Sequence, residues 1–180
     1  MNYCIAAAFR RCLPREKWVT RTCEAKAAAY DAAMPKLLPP AYFLAALALA
    51  VLASFLFPLP VLIPPAARIA GLLPVVVGIA LNLAADRQFK RRGTTVKPFQ
   101  GSSALITDGV FRWSRNPMYL GMVLIVAGVA LLEGTAIAWI AVAALAVILD
   151  QAFIRREERM LEETFGAEFE AYTRRARRWL

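Results

Sequence analysis

The chain has 180 residues, of which 59% are hydrophobic, and a formal net charge of +9. A soluble domain is roughly 45–50% apolar; here the excess lies in long runs, which excludes an ordinary soluble core and directs the positive charge toward anionic lipid headgroups rather than nucleic acid. Histidine is absent, which removes imidazole bases, histidine metal ligands and any Ser–His or Cys–His nucleophile.

Residues 1–33 are Ala-rich and basic and contain all three cysteines, Cys4, Cys12 and Cys23. No CxxC spacing occurs, so no metal or disulfide chemistry is expected. The segment lacks a hydrophobic span. It reads as an N-terminal extension, with Met34 as the natural start and residues 1–36 apart from the membrane domain of 37–180. An amphipathic surface helix or a targeting segment is the alternative.

Four apolar runs follow, at about 41–63, 66–85, 117–132 and 135–154. Each is long enough to cross or nearly cross the roughly 30 Å hydrocarbon core. The first contains Ser54 and the late prolines Pro58 and Pro60. The second contains Asn82 and, near its start, Arg68. Asn82 and Asp86 lie one helical turn apart. Gly71 and Gly78 share a face and favour close helix packing. Gly134 and its neighbours leave a tight turn between the third and fourth runs, which predicts a helical hairpin. Asp150 near the end of the fourth is an intramembrane acid, a functional candidate or a partner for Arg155.

Positive charge sets the expected topology. Seven Lys and Arg precede residue 41, seven lie in 86–116 and seven follow Ile154. An even number of spans puts all three segments on one side, so both termini are expected to be cytoplasmic in an inner or cytoplasmic membrane. The predicted fold is an all-α integral membrane protein. It has about four transmembrane helices, a third/fourth hairpin, a cytoplasmic loop and a C-terminal amphipathic helix. In residues 155–180 an apolar stripe of Leu161, Phe165, Phe169, Tyr172, Ala176 and Trp179 or Leu180 interrupts the charges, broken at Gly166. That helix is expected on the membrane surface or folded back on the loop.

The stretch FRWSRNPMYLG, residues 111–121, opens the third helix. Asn116 is a favourable N-cap and Pro117 suits the first helical position. Free N–H groups and the helix dipole favour an anion there, and Arg112 and Arg115 add charge. The hairpin returns Glu157 and Glu158 to the same face. A structural salt bridge and a grip on a ligand bearing both amine and carboxylate are both open.

FKRRGTTVKP, LITDGVFRWSRNPMYLG, the hairpin, EERMLEETFGAEFEAY and RRARRWL, in that order, resemble the isoprenylcysteine carboxyl methyltransferase and phospholipid methyltransferase superfamily of integral membrane enzymes. The resemblance implies S-adenosylmethionine as cofactor and methyl transfer at the cytoplasmic membrane face. It implies that Arg115, Asn116, Tyr119 and Gly121 line the cofactor and that Gly109 shapes the loop over it. Glu157, Glu158 and Leu161 would approach from the tail side, and Tyr172 and Arg178 would close the site. Arg115 and Glu158 are the expected catalytic residues, Glu158 as the base if the acceptor is an amine. Eukaryotic members have histidine where this chain has Asn116, which excludes acid–base chemistry at that position. The expected acceptor is a membrane lipid or another lipophilic or lipid-bound molecule bearing a carboxylate, thiol or amine. A sterol-type membrane reductase using NADPH and a non-catalytic membrane protein are the competing readings.

Overall fold

Prolines and glycines divide the apolar sequence into helices. The computed structural model describes residues 38–57, 61, 63–91 and 105–180; the expected N-terminal extension with its cysteines, and most of FKRRGTTVKP, lie outside them. Helix α1 is Pro39–Leu56, with a proline in its first turn. It stops short of the predicted residue 63. Phe57 is already non-helical, at φ −120° and ψ 83°, as expected of a residue that precedes a proline.

Helix α2 is Pro65–Arg91, with a 3-10 turn at Ile69–Gly71. Pro74 accounts for that turn, because its ring displaces the carbonyl four residues earlier, that of Ala70. The helix outruns the predicted end at residue 85, since the charged stretch DRQFKR keeps good helix formers. An i,i+4 ion pair joins Asp86 to Lys90 at 2.6 Å. Helix α3 is Pro117–Glu133, and helix α4 is Ala136–Phe165. Gly134 ends α3 at φ 72°, a left-handed conformation in which a side chain would be strained. The α3–α4 turn is therefore as tight as predicted. Helix α5 is Ala167–Thr173, beyond the break at Gly166.

Among the described residues there is no strand, only the isolated bridges Val61–Thr135 and Ser114–Arg177. Helices α1, α2 and α4 are long and apolar enough to cross a membrane; α3, at 17 residues, is shorter and apolar. The chain is a multi-pass, all-helical membrane protein. Helix α3 is the central element and buries Tyr119, Leu120, Met122, Val126 and Ala130. Leu44, Leu52 and Phe55 of α1 and Leu73 and Val76 of α2 lie on the outside. Such a surface is stable against lipid tails and unstable against water.

Helices α2 and α3 pack through two pairs of glycines seven residues apart. A Cβ on Gly71 would meet the Gly128 carbonyl at 2.5 Å, and one on Gly78 would meet the Gly121 carbonyl at the same distance. Small residues let backbones approach where lipid supplies no hydrophobic drive between helices. Away from the charged end, Ser54 and Thr135 share a hydroxyl hydrogen bond of 2.7 Å. There Arg68 Nε donates to the Ile63 carbonyl at 3.0 Å. A Cβ on Gly134 would meet that same Nε at 2.8 Å.

Candidate functional site

The end of α4 sets up the site. Between Asp150 and Ile154 the helix widens into a π turn before resuming at Arg155. Five residues then fill one turn, so Asp150 and Arg155 stack, and Arg155 Nε donates to Asp150 Oδ2 at 2.7 Å. Pairing of Asp150 with Arg155 was one of the two sequence expectations. π turns concentrate at functional sites. The apolar part of α4 ends at Ile154, and Arg155–Phe165 projects beyond it with Glu157 and Glu158 on its first turn.

The hairpin brings this turn against the start of α3. Glu158 is held by two arginines. Arg115 Nε donates to Oε1 at 2.9 Å, and Arg178 Nε and Nη2 donate to Oε2 at 2.9 and 2.5 Å. The side chains of Glu158 and Arg115 are only 12% and 13% exposed, so loss of either partner would leave a charge cut off from water, unlike a solvated surface bridge. Arg178 also approaches Asp150 Oδ1 at 3.5 Å. The Glu158 hydrogen bonds hold the Arg178 guanidinium above its ordinary pKa, against the opposing effect of burial.

Arg115 does more than neutralise charge. Its Nη1 donates to the Ala176 and Thr173 carbonyls at 3.0 and 3.3 Å, and its backbone N–H donates to the Arg177 carbonyl at 2.9 Å. Asn116 Nδ2 donates to the Arg178 carbonyl at 3.2 Å. The Tyr172 hydroxyl donates to the Phe111 carbonyl at 2.6 Å. Together these bonds stitch residues 172–178 onto the loop before α3. The apolar stripe follows: Phe169, Tyr172 and Ala176 pack with Leu105, Leu161 and Phe165. The tail is thus folded back on the loop, one of the two expected placements, while Trp179 joins the core of α1, α3 and α4.

Asn116 begins α3, but its side chain does not cap it. The amide is spent on the Arg178 carbonyl, so the Asn116 side chain leaves the first-turn donors of α3 uncapped. The Leu120 N–H donates to the Asn116 carbonyl at 3.0 Å, the first bond of the helix itself. Sequence propensity correctly identified the helix start but not the use of the side chain.

Glu157 is placed differently from Glu158. The Tyr119 hydroxyl donates to Glu157 Oε1 at 2.7 Å. No arginine pairs with Glu157, and its second oxygen has no hydrogen-bond partner among the described residues. Burial pushes this carboxyl up to about 7, with the Tyr119 hydrogen bond opposing the rise. Tyr119 in turn lies near Phe153, with ring centroids 6.3 Å apart, and Phe153 meets Tyr42 of α1 at 5.6 Å.

The remaining sequence candidates hold structural positions. A Cβ on Gly121 would collide with the Asn82 amide and meet the Gly78 carbonyl at 2.7 Å, so its small size serves helix packing. Asn82 Nδ2 donates to the Gly78 carbonyl at 2.9 Å. Gly109 has φ 59°, and a Cβ there would meet the Gln88 amide at 2.5 Å; Gln88 Nε2 donates to the Asp108 carbonyl at 2.6 Å. Sequence reasoning did not single out Ser114. It is 2% exposed, bridges to Arg177, and its Oγ accepts the Asn116 N–H at 3.2 Å. A serine two residues before an Asn-Pro helix start was the available signal. Among the described residues no cluster of acidic or cysteine side chains could hold a metal ion.

Comparison with known proteins agrees with this architecture. An uncharacterized protein of Haemophilus influenzae is 40% identical over 63 residues, which span 35% of this chain and 100% of that protein. No solved structure matches the chain. The phospholipid methyltransferase family matches residues 66–168, from the start of α2 into α5 and across the whole hairpin. The chain belongs to the phospholipid methyltransferase family, within the isoprenylcysteine carboxyl methyltransferase-type superfamily.

Proposed function

We propose that the protein transfers a methyl group from S-adenosylmethionine to a lipophilic or membrane-bound acceptor, at the membrane face that carries Glu157. The family implies a methyltransferase acting on membrane substrates. The observation that carries the finer reading is Glu157 itself, a half-buried carboxylate that, among the described residues, accepts from one tyrosine and pairs with no arginine.

The donor set suits this cofactor. Its methionine end bears an ammonium, a carboxylate and the sulfonium. Glu157, once ionised, would take the ammonium or face the sulfonium. The first turn of α3, left without a side-chain cap, offers N–H groups to the carboxylate. When bound, the cofactor supplies an electrophilic methyl group for in-line displacement by an acceptor lone pair.

Alignment is then the protein's main task. Arg115, Glu158 and Arg178 fix the tail over the loop, and the tail shields the site from water. Both Glu158 oxygens already accept from arginines, so we assign Glu158 to positioning rather than proton transfer. Arg115 has the same role. If the acceptor is an amine, Glu157 is the group able to accept its proton near neutrality. A carboxylate or thiolate acceptor needs no base. Asn116 positions the tail and moves no proton.

We place the site on the cytoplasmic face of an inner membrane, with both termini cytoplasmic, on the distribution of Lys and Arg. We treat residues 37–180 as the catalytic unit. Equilibrium binding of radiolabelled S-adenosylmethionine to the detergent-solubilised protein tests the reading, with NADPH as the comparison. Saturable binding of the methyl donor and none of NADPH is expected. NADPH binding alone would replace this proposal with a reductase.

A further inference from the structure

The π turn in α4 is closed by two bonds between the same residues. The Arg155 N–H donates to the Asp150 carbonyl, five residues back, and Arg155 Nε donates to Asp150 Oδ2 at 2.7 Å. The Asp150 side chain is 15% exposed and also faces Arg178, whose Nη1 lies 3.5 Å from Oδ1. A π turn is one extra residue accommodated in an α-helix. Without it, every residue beyond would advance one position, about 100° around the axis. Glu157 would then take the place of Glu158 between the arginines. Arg156 would take the place of Glu157 against Tyr119.

We propose that Asp150 and Arg155 are positioning residues: their pair locks α4 in the register that turns Glu157, and not Arg156, toward Tyr119.

The arginine clamp does not select the register by itself, because a glutamate would fill it either way. The Asp150–Arg155 pair does select. In a regular α-helix, residues five apart in sequence lie about 140° apart around the axis, too far to pair; the π turn stacks them. Phe153 works in the same direction. Its ring meets Tyr42 at 5.6 Å and Tyr119 at 6.3 Å, and the shift would bring Ala152 there instead. The two registers differ in charge at one point. Beside Tyr119 stands a carboxylate in one and a guanidinium in the other, so only the first receives a ligand that carries an ammonium or sulfonium. That consequence rests on the methyl-transfer reading; the register itself does not.

Cysteine cross-linking in the detergent-solubilised full chain tests the register without the cofactor. Cys4, Cys12 and Cys23 are first replaced by serine, and Tyr119→Cys is combined with Glu157→Cys or with Arg156→Cys. A short bifunctional thiol reagent should join positions 119 and 157 roughly tenfold or more faster than 119 and 156, since adjacent residues point about 100° apart. Arg155→Ala should cut that excess by about two- to fivefold, the weight of a half-exposed ion pair. Deleting Gln151, which is exposed, removes the extra residue. Asp150 and Arg155 then become an i,i+4 pair of an ordinary helix, and position 157 stays opposite 119. The lock is no longer needed in that chain, so the deletion should restore the full excess to Arg155→Ala. An excess unchanged by Arg155→Ala would overturn the proposal. So would a Gln151 deletion that fails to fold or that favours 119–156. Failure of the wild type to bind S-adenosylmethionine, with the cross-links as expected, would count against the methyl-transfer reading and leave the register lock standing.

Discussion

Tyr119 and Glu157 meet across the α3–α4 hairpin through a 2.7 Å hydrogen bond, while Glu158, the next residue, is claimed by two arginines. Adjacent carboxylates on one helical turn therefore have different chemistry. One is neutralised by fixed cations. The other is enclosed with a neutral donor, and burial lifts it to about 7.

That difference predicts a pH dependence. Binding of a cationic ligand near Glu157 requires the ionised carboxylate, whose population grows as pH rises through about 7. Affinity for S-adenosylmethionine should therefore increase between pH 6 and 8 in the wild type. In Glu157→Gln it should be weaker and flat over that range, as measured by equilibrium dialysis. Stability has the opposite sign. The folded state holds this proton up to about 7 and the unfolded chain releases it near 4.5. Folding loses stability as pH rises across that window, because the native state binds more protons there. Tyr119→Phe removes the hydrogen bond that favours ionisation and should move the affinity midpoint to higher pH. An unchanged profile in Glu157→Gln would assign the titration to another group.

The Glu158 clamp makes a prediction about stability. Arg115→Ala would leave a carboxylate that is 12% exposed with one cation fewer, and would free the Thr173 and Ala176 carbonyls and the tail with them. Breaking one side of a buried pair costs roughly 3–5 kcal/mol. Arg178 is 37% exposed, so Arg178→Ala should cost less. Thermal unfolding in detergent should rank the variants wild type, Arg178→Ala, Arg115→Ala. Glu158→Gln keeps the shape and one acceptor oxygen but turns an amide N–H toward one arginine; because the tail bonds of Arg115 survive, it should be milder than Arg115→Ala. Trypsin should cut the tail sooner in Arg115→Ala than in the wild type.

Much of this was legible in the sequence, for physical reasons that differ by residue. The apolar runs and Gly134 fixed the hairpin, since lipid admits few backbone alternatives to helices. The spacing of Gly71 and Gly78 predicted close helix packing but not its partner; Gly121, expected to line the cofactor, lies against Gly78. The tail was harder. Its stripe predicted an amphipathic helix but not its target, since Phe169 and Tyr172 would suit a membrane surface as well as Leu105. The split between Glu157 and Glu158 was illegible. Two identical side chains, one residue apart, acquire separate roles only from the arginines and tyrosine that the fold brings to them. The π turn at Asp150 was also out of reach, although it sets the phase at which both acids face α3.

The glycine contact predicts a size limit at the α2–α3 interface. A methyl group at Gly78 would stand 2.5 Å from the Gly121 carbonyl, a backbone atom that cannot move without the helix. Gly78→Ala should destabilise by about 1–3 kcal/mol, the usual cost of overpacking, and Gly78→Leu should prevent folding. At Gly166 nothing lies within 4 Å of an added Cβ. Gly166→Ala should therefore cost only backbone strain, roughly 1–3 kcal/mol at φ 49° and ψ −118°. Detergent unfolding of the two alanine variants separates packing from strain.

Ser54 and Thr135 offer a test at the end of the bundle away from the site. Their hydroxyls lie 2.7 Å apart and join α1 to the residue that precedes α4. Thr135 is 6% exposed, so a lone hydroxyl there would lack water. Thr135→Val keeps the shape and removes the bond, as does Ser54→Ala with a small loss of volume. A double-mutant cycle should give a coupling of about 0.6 kcal/mol, the typical value for hydrogen bonds between membrane helices. Methyl-transfer activity should be unchanged in both single variants, because neither residue lies near Glu157 or the clamp. Zero coupling would mean that each hydroxyl finds another partner when the pair is broken, as serine and threonine can by bonding back to a helix carbonyl.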